Sequence, residues 1–186
     1  MILIVDLCYR PGSLSAFEFV DPIASIVRET GREHCVRHYT AVDAGTVENA
    51  DAVILCGTAL KDNGYIDRIA MFSWILECDR PVLGICAGMQ VIGLVFGGEL
   101  VSTPEIGMTS VRVSRDDPLF AGTTSFEAYE LHTYALDPPG DLEVLAVSDI
   151  CVQAVRHRTR PIIGVMFHPE VRNEWAVQRF LEDYTP

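Results

Sequence analysis

The stretch Gly84-Ile85-Cys86-Ala87-Gly88-Met89-Gln90 constrains the fold more than any other. It joins the apolar run Pro81-Val82-Leu83 to a helix-like segment, Met89 to Phe96. A cysteine with glycine two residues to either side, at a strand-to-helix junction, has the form of a nucleophile elbow. Such a turn lifts the side chain out of the sheet, and the glycines leave room for tight backbone and a close substrate. The sulfur would face the N-terminal end of the following helix, whose partial positive charge favours thiolate. The competing reading is a small apolar residue buried at the end of a strand. What separates the two is whether the rest of the chain supplies a base.

The chain leading to the elbow alternates strand and helix. Ile2 to Asp6 is a continuous β-branched run of the fully buried kind, closed by Pro11-Gly12. Phe17 to Glu29 carries Phe19, Ile23, Ile26 and Val27 at helical spacing and stops at Gly31. His34 to Tyr39 is a second strand, Val42 to Asn49 a polar connection, and Ala52 to Leu55 a third strand ending at Cys56-Gly57. The rhythm predicts a parallel sheet covered by helices. The loop Cys56 to Gly64 then leaves the carboxyl end of the third strand, where open α/β sheets place their ligands. Tyr65 to Cys78 is amphipathic and leads into the strand before Cys86.

Beyond Gly97-Gly98 the character changes. Val111 to Val113, Phe126 to Glu130, Leu142 to Val147, Cys151 to Arg156 and Ile162 to Phe167 are strand-like, with turn residues between them and little room for helices. The second half is expected to be strand-rich and partly antiparallel, with a closing helix in Asn173 to Tyr184. No repeat or linker interrupts the chain, so residues 1–186 are expected to form a single domain.

Composition narrows the function. With 186 residues, 49% of them hydrophobic, the chain can bury a full core without disulfides or metal. A net charge of −12 argues against a nucleic-acid or anionic-membrane surface. There is no long apolar span or basic leader, so a cytoplasmic protein is expected. Cys8, Cys35, Cys56, Cys78, Cys86 and Cys151 show no C-x-x-C pair or nearby Cys/His spacing, so neither zinc nor a disulfide framework is indicated.

A thiol of ordinary pKa, about 8.5, is only a few per cent thiolate at neutral pH, so acyl chemistry at Cys86 needs a base. His34 and His38 lie on an early strand that alternates polar residues and are expected to be solvated. His157, between Arg156 and Arg158, is expected at the surface, and His132 is placed to line a cleft. His168 is the strongest candidate. The buried run Ile162 to Phe167 delivers it to a turn set by Pro169, and Glu170 can return to the imidazole and hold its tautomer.

With these residues assembled, the sequence resembles the class I glutamine amidotransferase family, the triad type with a cysteine nucleophile. The similarity rests on Gly84 to Gln90 and on Gly164-Val165-Met166-Phe167-His168-Pro169-Glu170. In family order it is joined by Gly97-Gly98, Glu105-Ile106-Gly107, Asp117-Pro118-Leu119-Phe120, Tyr129-Glu130-Leu131-His132 and Val152 to His157. The resemblance implies a flavodoxin-like α/β fold that hydrolyses L-glutamine to glutamate and ammonia. Cys86 would be the nucleophile, His168 the proton shuttle and Glu170 its orienter. The oxyanion donors would be the N–H of Ala87 and the loop at Gly57-Thr58. Gln90 would line the glutamine pocket, and His132, Thr133 and Tyr134 would hold the amino-acid end.

Three departures stand out. Gly57-Thr58-Ala59 replaces the Gly-Gly-Pro of many relatives, which raises a differently shaped or partner-dependent oxyanion hole. Met166 stands where a glutamine is common, and Leu7-Cys8-Tyr9-Arg10 lacks the Asn-Gly-Gly-Gln run of many guanylate-synthesising relatives. The chain is too short to hold a synthase as well, so it is expected to feed ammonia to another polypeptide. The separate glutaminase subunit of GMP synthase is the first reading. Anthranilate or aminodeoxychorismate synthase and imidazole glycerol phosphate synthase are the other acceptors. No cofactor or metal is needed for the glutaminase half-reaction. Two competing readings remain at this level: a stand-alone hydrolase of γ-glutamyl peptides or other small amides, and a regulatory module whose altered loop has cost it activity.

Overall fold

The computed structural model describes residues 1–185, so Pro186, the last residue of the expected domain, lies outside the described residues. The core begins with strands that have no exposed face. β1 (Ile2–Asp6), β3 (Ala52–Leu55), β4 (Val82–Ile85) and β9 (Ile162–Val165) are buried along their whole length. That explains their continuous apolar runs, because a strand covered by helices on both sides has no position for a polar residue. Each fully buried Ile, Leu or Val contributes roughly 1.5–3 kcal/mol of transfer free energy.

These strands and β2 (His34–His38) pair in parallel, and the antiparallel strands β5 (Glu99–Val113), β6 (Ser125–Asp137), β7 (Leu142–Val147) and β8 (Val152–His157) extend the same sheet. The order across nine strands is β2-β1-β3-β4-β9-β8-β7-β5-β6. The fold is thus the expected α/β type, parallel in its first half and antiparallel in its second. The parallel strands need crossovers, which are α1 (Ala16–Phe19), α2 (Asp21–Glu29), α3 (Ala44–Glu48) and α4 (Ala87–Val95). α5 (Trp175–Asp183) closes the chain and packs on α2. No described helix is long and apolar enough to cross a membrane.

Several local expectations are corrected. The helix expected over Phe17 to Glu29 is split at Val20, because Pro22 lies in the first turn of α2 and has no N–H to continue the ladder. The polar connection at Val42 to Asn49 contains α3, capped by the Asp43 carboxylate, which accepts the Thr46 N–H at 2.8 Å. Tyr65 to Cys78 holds a 3-10 helix over Ile69–Leu76 rather than an α-helix. Its buried residues Phe72, Ile75 and Cys78 recur every third position, the period of three residues per turn. His38 is buried rather than solvated, with Nε2 2.8 Å from the Cys8 carbonyl and Nδ1 2.7 Å from the Thr40 hydroxyl.

The largest difference is the length of the β5–β6 hairpin, which runs well beyond the short strands expected at Val111 and Phe126. Its register shifts between Ser102 and Glu105, so that Ser102 faces Tyr134 and Glu105 faces His132. Pro104 lies in this bulge, where a residue without an N–H costs no ladder bond. The shift decides which β5 residue stands opposite His132.

Candidate active site

Cys86 joins β4 to α4 with φ 48° and ψ −103°, and among the described residues it is the only non-glycine with positive φ. Such a backbone is costly and persists only where its surroundings over-determine it. Here the Cys86 N–H donates to the Val165 carbonyl at 2.8 Å, and the Cys86 carbonyl accepts the Gln90 N–H at 3.0 Å. The flanking glycines are required by contact. A Cβ on Gly84 would lie 2.5 Å from the Gly88 carbonyl, and one on Gly88 would lie 2.3 Å from the Leu55 carbonyl oxygen. The start of α4 therefore sits directly on β3 and β4, and the cysteine projects from the junction.

β9 lies beside β4, in register from Val82↔Ile162 to Ile85↔Val165. The chain leaving β9 therefore emerges next to the elbow, and His168 lies on it, tied to β6 by its N–H donating to the Tyr129 carbonyl at 2.9 Å. His168 Nδ1 is 2.7 Å from Glu170 Oε1, and both side chains are buried. Phe19 packs against the ring at 5.5 Å between centroids. The Nε2 atom has no hydrogen-bond partner among the described residues. Burial by itself would lower the His168 pKa, but the charges of Cys86 and Glu170 outweigh it and hold the group well above its ordinary value. The structure thus brings Cys86, His168 and Glu170 together from two strand ends. The Cys86 thiol rests on the Leu131 carbonyl, Sγ to O 3.7 Å.

The third strand end completes the site. Gly57 follows β3 and fits between the two reactive side chains: a Cβ there would lie 2.7 Å from His168 Cε1 and 3.6 Å from Cys86 Cβ. Thr58 is buried and donates its hydroxyl to Asp62 Oδ2 at 2.8 Å, and the same carboxylate oxygen accepts the Tyr9 N–H. The loop contains no left-handed residue, so Thr58 replaces glycine there without backbone strain. Neither the Thr58 N–H nor the Ala87 N–H has a protein acceptor among the described residues. For Ala87 this follows from its place as the first residue of α4.

A narrow cleft of about 250 Å³ opens over the thiol, with Thr58, Tyr65, Ala87, Gln90, Thr133 and Tyr134 in its walls. Gln90 clasps those walls together. Its Oε1 accepts the Tyr65 hydroxyl, and its Nε2 donates to the Tyr134 carbonyl at 2.8 Å and lies 3.9 Å from Met166 Sδ. His132 borders the cleft, but its ring is almost wholly buried and Nε2 turns away, toward Glu105 at 3.6 Å and Glu130 at 3.5 Å. A second cleft reaches the triad from the side of Phe19, Tyr129 and Val171.

Sequence reasoning missed Asp62, Tyr65 and the buried group around His132. Asp62 carried a signal, because it lies in the loop after β3. The His132 group carried none, since Glu105, Glu130 and Cys151 meet it only through strand pairing. Burial lowers the His132 pKa against the pull of Glu105, and burial beside Glu105 pushes Glu130 up to about 8.

A sequence model of the family described as Glutamine amidotransferase class-I matches residues 16–184. Among similar curated proteins, the glutamine-hydrolysing subunit of GMP synthase from Methanocaldococcus jannaschii is 43% identical over 114 residues, 59% of this chain and 61% of that relative. The corresponding GMP synthase subunit of Methanosarcina barkeri is 35% identical over 153 residues, 77% of this chain and 78% of that protein. A crystal structure from Thermoplasma acidophilum, described as a candidate subunit of GMP synthase, superposes with a TM-score of 0.85 at 29% identity. It covers 97% of this chain and 92% of its own. A glutamine amidotransferase from Thermotoga maritima shares the fold, with a TM-score of 0.72 at 20% identity over 98% of this chain and 81% of its own. A family match across nearly the whole chain and a strained cysteine elbow facing a His-Glu pair point the same way: the chain belongs to the class I glutamine amidotransferase family.

Proposed function

We propose that this chain is the glutaminase subunit of a GMP synthase, a cytoplasmic enzyme that hydrolyses L-glutamine and passes ammonia to a separate synthase chain. The observation that carries the reading is the Cys86 turn, facing an imidazole whose Nδ1 is held by Glu170 at 2.7 Å. Cys86 sulfur attacks the side-chain amide carbon of glutamine, and His168 gives its proton to the departing ammonia. Water then attacks the thioester, with His168 as base, and releases glutamate. The N–H groups of Ala87 and of the Gly57-Thr58 loop are the oxyanion donors, each worth about 3 kcal/mol of transition-state stabilisation. Gln90, Thr133 and Tyr134 shape the pocket for the amino-acid end, and His132 supports it from behind.

The named relatives support the pathway. A rim of exposed apolar side chains beside the triad supports a partner, because Leu14 is 80% and Phe17 68% exposed and Val171 borders the second cleft. Neither competing reading gains a specific observation. The intact triad gives a purely regulatory module nothing to rest on, and the narrow cleft favours a small amino acid over a peptide.

The test is ammonia release from L-glutamine, measured with the chain alone and then with the ATP-pyrophosphatase chain of a GMP synthase. Cys86→Ala and Cys86→Ser are expected to abolish release while leaving the circular dichroism spectrum unchanged. Changes at Cys35 or Cys78 are expected to leave turnover intact. Turnover by Cys86→Ala would overturn the mechanism, and failure of the synthase chain to form GMP with glutamine would overturn the acceptor.

A further inference from the structure

Next to the triad, and separate from it, lies a buried set of metal-binding side chains that the reaction above does not use. Glu105 comes from β5, Glu130 and His132 from β6, and Cys151 from the turn before β8. His132 Nε2 lies 3.6 Å from Glu105 Oε2, 3.5 Å from Glu130 Oε2 and 3.9 Å from Cys151 Sγ, and Cys151 Sγ lies 3.5 Å from Glu105 Oε2. A tetrahedral zinc ion, with bonds of about 2.0–2.1 Å to nitrogen and oxygen and about 2.3 Å to sulfur, sets ligand-to-ligand edges of about 3.4–3.6 Å. The four separations match those edges within a few tenths of an ångström.

A second observation is independent of this spacing. Glu130 is fully buried, and neither of its carboxylate oxygens has a hydrogen-bond partner among the described residues. Leaving a carboxylate so is costly, and natural proteins relieve it with a partner charge or a metal. The surroundings of the other ligands also suit a metal. Glu105 is oriented by Thr109 on Oε1 and by Ser148 at 3.2 Å and Gln153 at 3.1 Å on Oε2. The Nδ1 edge of His132 lies against the Thr103 carbonyl, short of full hydrogen-bond geometry, which leaves Nε2 as the ligand atom. Cys151 is only half-buried and follows the exposed Ile150, so an ion can enter from that side.

We propose that Glu105, Glu130, His132 and Cys151 form a structural zinc(II) site. The mixed sulfur, nitrogen and oxygen donors and the tetrahedral edges select zinc over magnesium or calcium. On binding, the Cys151 thiol loses its proton to solvent, and the zinc–sulfur bond replaces its contact with Glu105. The Cys151 thiolate and the Glu105 carboxylate balance the dication, and Glu130 takes the fourth position. The site staples the β5–β6 hairpin to the start of β8. It also stiffens Leu131, between two of the ligands, whose carbonyl carries the Cys86 thiol. The inference stands on the ligand geometry and does not depend on the glutaminase reading.

Cobalt(II) is the probe. The full chain, stripped with chelator, is titrated with Co2+ alone and followed by absorbance, then back-titrated with Zn2+. The titration is made on Cys86→Ser, so that the nucleophile cannot contribute sulfur. One equivalent is expected to produce intense tetrahedral d–d bands and a thiolate-to-cobalt charge-transfer band, both removed by zinc. Adding Cys151→Ser is expected to abolish the charge-transfer band. Adding Glu130→Gln is expected to keep that band and weaken Co2+ binding at least about tenfold. Absence of tetrahedral bands in Cys86→Ser, or a charge-transfer band that survives Cys151→Ser, would overturn the proposal. Should the Cys151 variant fail to fold, Glu130→Gln decides. It is isosteric and removes an unpaired buried charge, and Co2+ affinity unchanged by it would likewise overturn the proposal.

Discussion

Gly57→Ala adds one methyl group between the nucleophile and its base. The new Cβ would lie 2.7 Å from His168 Cε1 and 3.2 Å from Nδ1. Carbon atoms in favourable contact stand about 3.5 Å apart or more, so the ring or the loop must yield by about 0.8 Å. The ring cannot recede freely, because Glu170 holds Nδ1 at 2.7 Å and Phe19 packs against it. The loop is tied through Thr58 to Asp62. The displacement therefore falls on the relation between Cys86, His168 and the Gly57-Thr58 peptide. A misplacement of about 1 Å costs on the order of 100-fold in rate. Overpacking of this kind costs about 1–3 kcal/mol in stability, which a folded chain can tolerate. Steady-state glutaminase assays of Gly57→Ala should show kcat reduced about 100-fold. KM should change little, since the walls formed by Gln90 and Tyr134 are untouched. Thermal melting should show a folded protein of lower Tm. A folded variant with wild-type kcat would refute the close packing of Gly57 on the catalytic pair.

Three further outcomes are expected. Glu170→Gln removes the carboxylate that holds His168 Nδ1, and should lower kcat by two to four orders of magnitude (about 10²–10⁴) with little change in KM, as measured by ammonia release. Asp62→Ala deletes the acceptor shared by the Thr58 hydroxyl and the Tyr9 N–H. It should lower stability by about 1–3 kcal/mol in urea denaturation and depress kcat through the loosened loop. The third concerns pH. The His168 pKa is held above the ordinary histidine value of 6.5, so the fold favours the charged ring. That contribution to stability is complete below pH 6.5 and is lost as pH rises through the raised value in the folded chain. Melting curves should show the wild type losing stability on the alkaline side more steeply than His168→Gln, and parallel curves would count against the charge coupling.

Much of the catalytic arrangement was legible in the chain because it is local. The elbow needs glycines at the positions next to its tightest contacts, and Gly84 and Gly88 occupy them. His168-Pro169-Glu170 sets base and orienter two residues apart, so their pairing needs only a turn. The buried parallel strands were equally plain, since a strand covered on both faces must be apolar throughout. Local chemistry also misled. His38 looks solvated by alternation, yet the Cys8 carbonyl and the Thr40 hydroxyl receive its ring.

The sequence by itself determined the strand–helix rhythm, the elbow and the order of the three residues that meet there, because backbone preference and burial act on neighbours along the chain. Only the tertiary structure decided that Thr58 is anchored by Asp62 and that Gln90 bridges Tyr65 and Tyr134. It alone brought Glu105, Glu130, His132 and Cys151 together. The reason is register. A bulge at Pro104 sets Glu105 opposite His132, and strand pairing carries Cys151 to them from another part of the chain, which no periodicity along the sequence records.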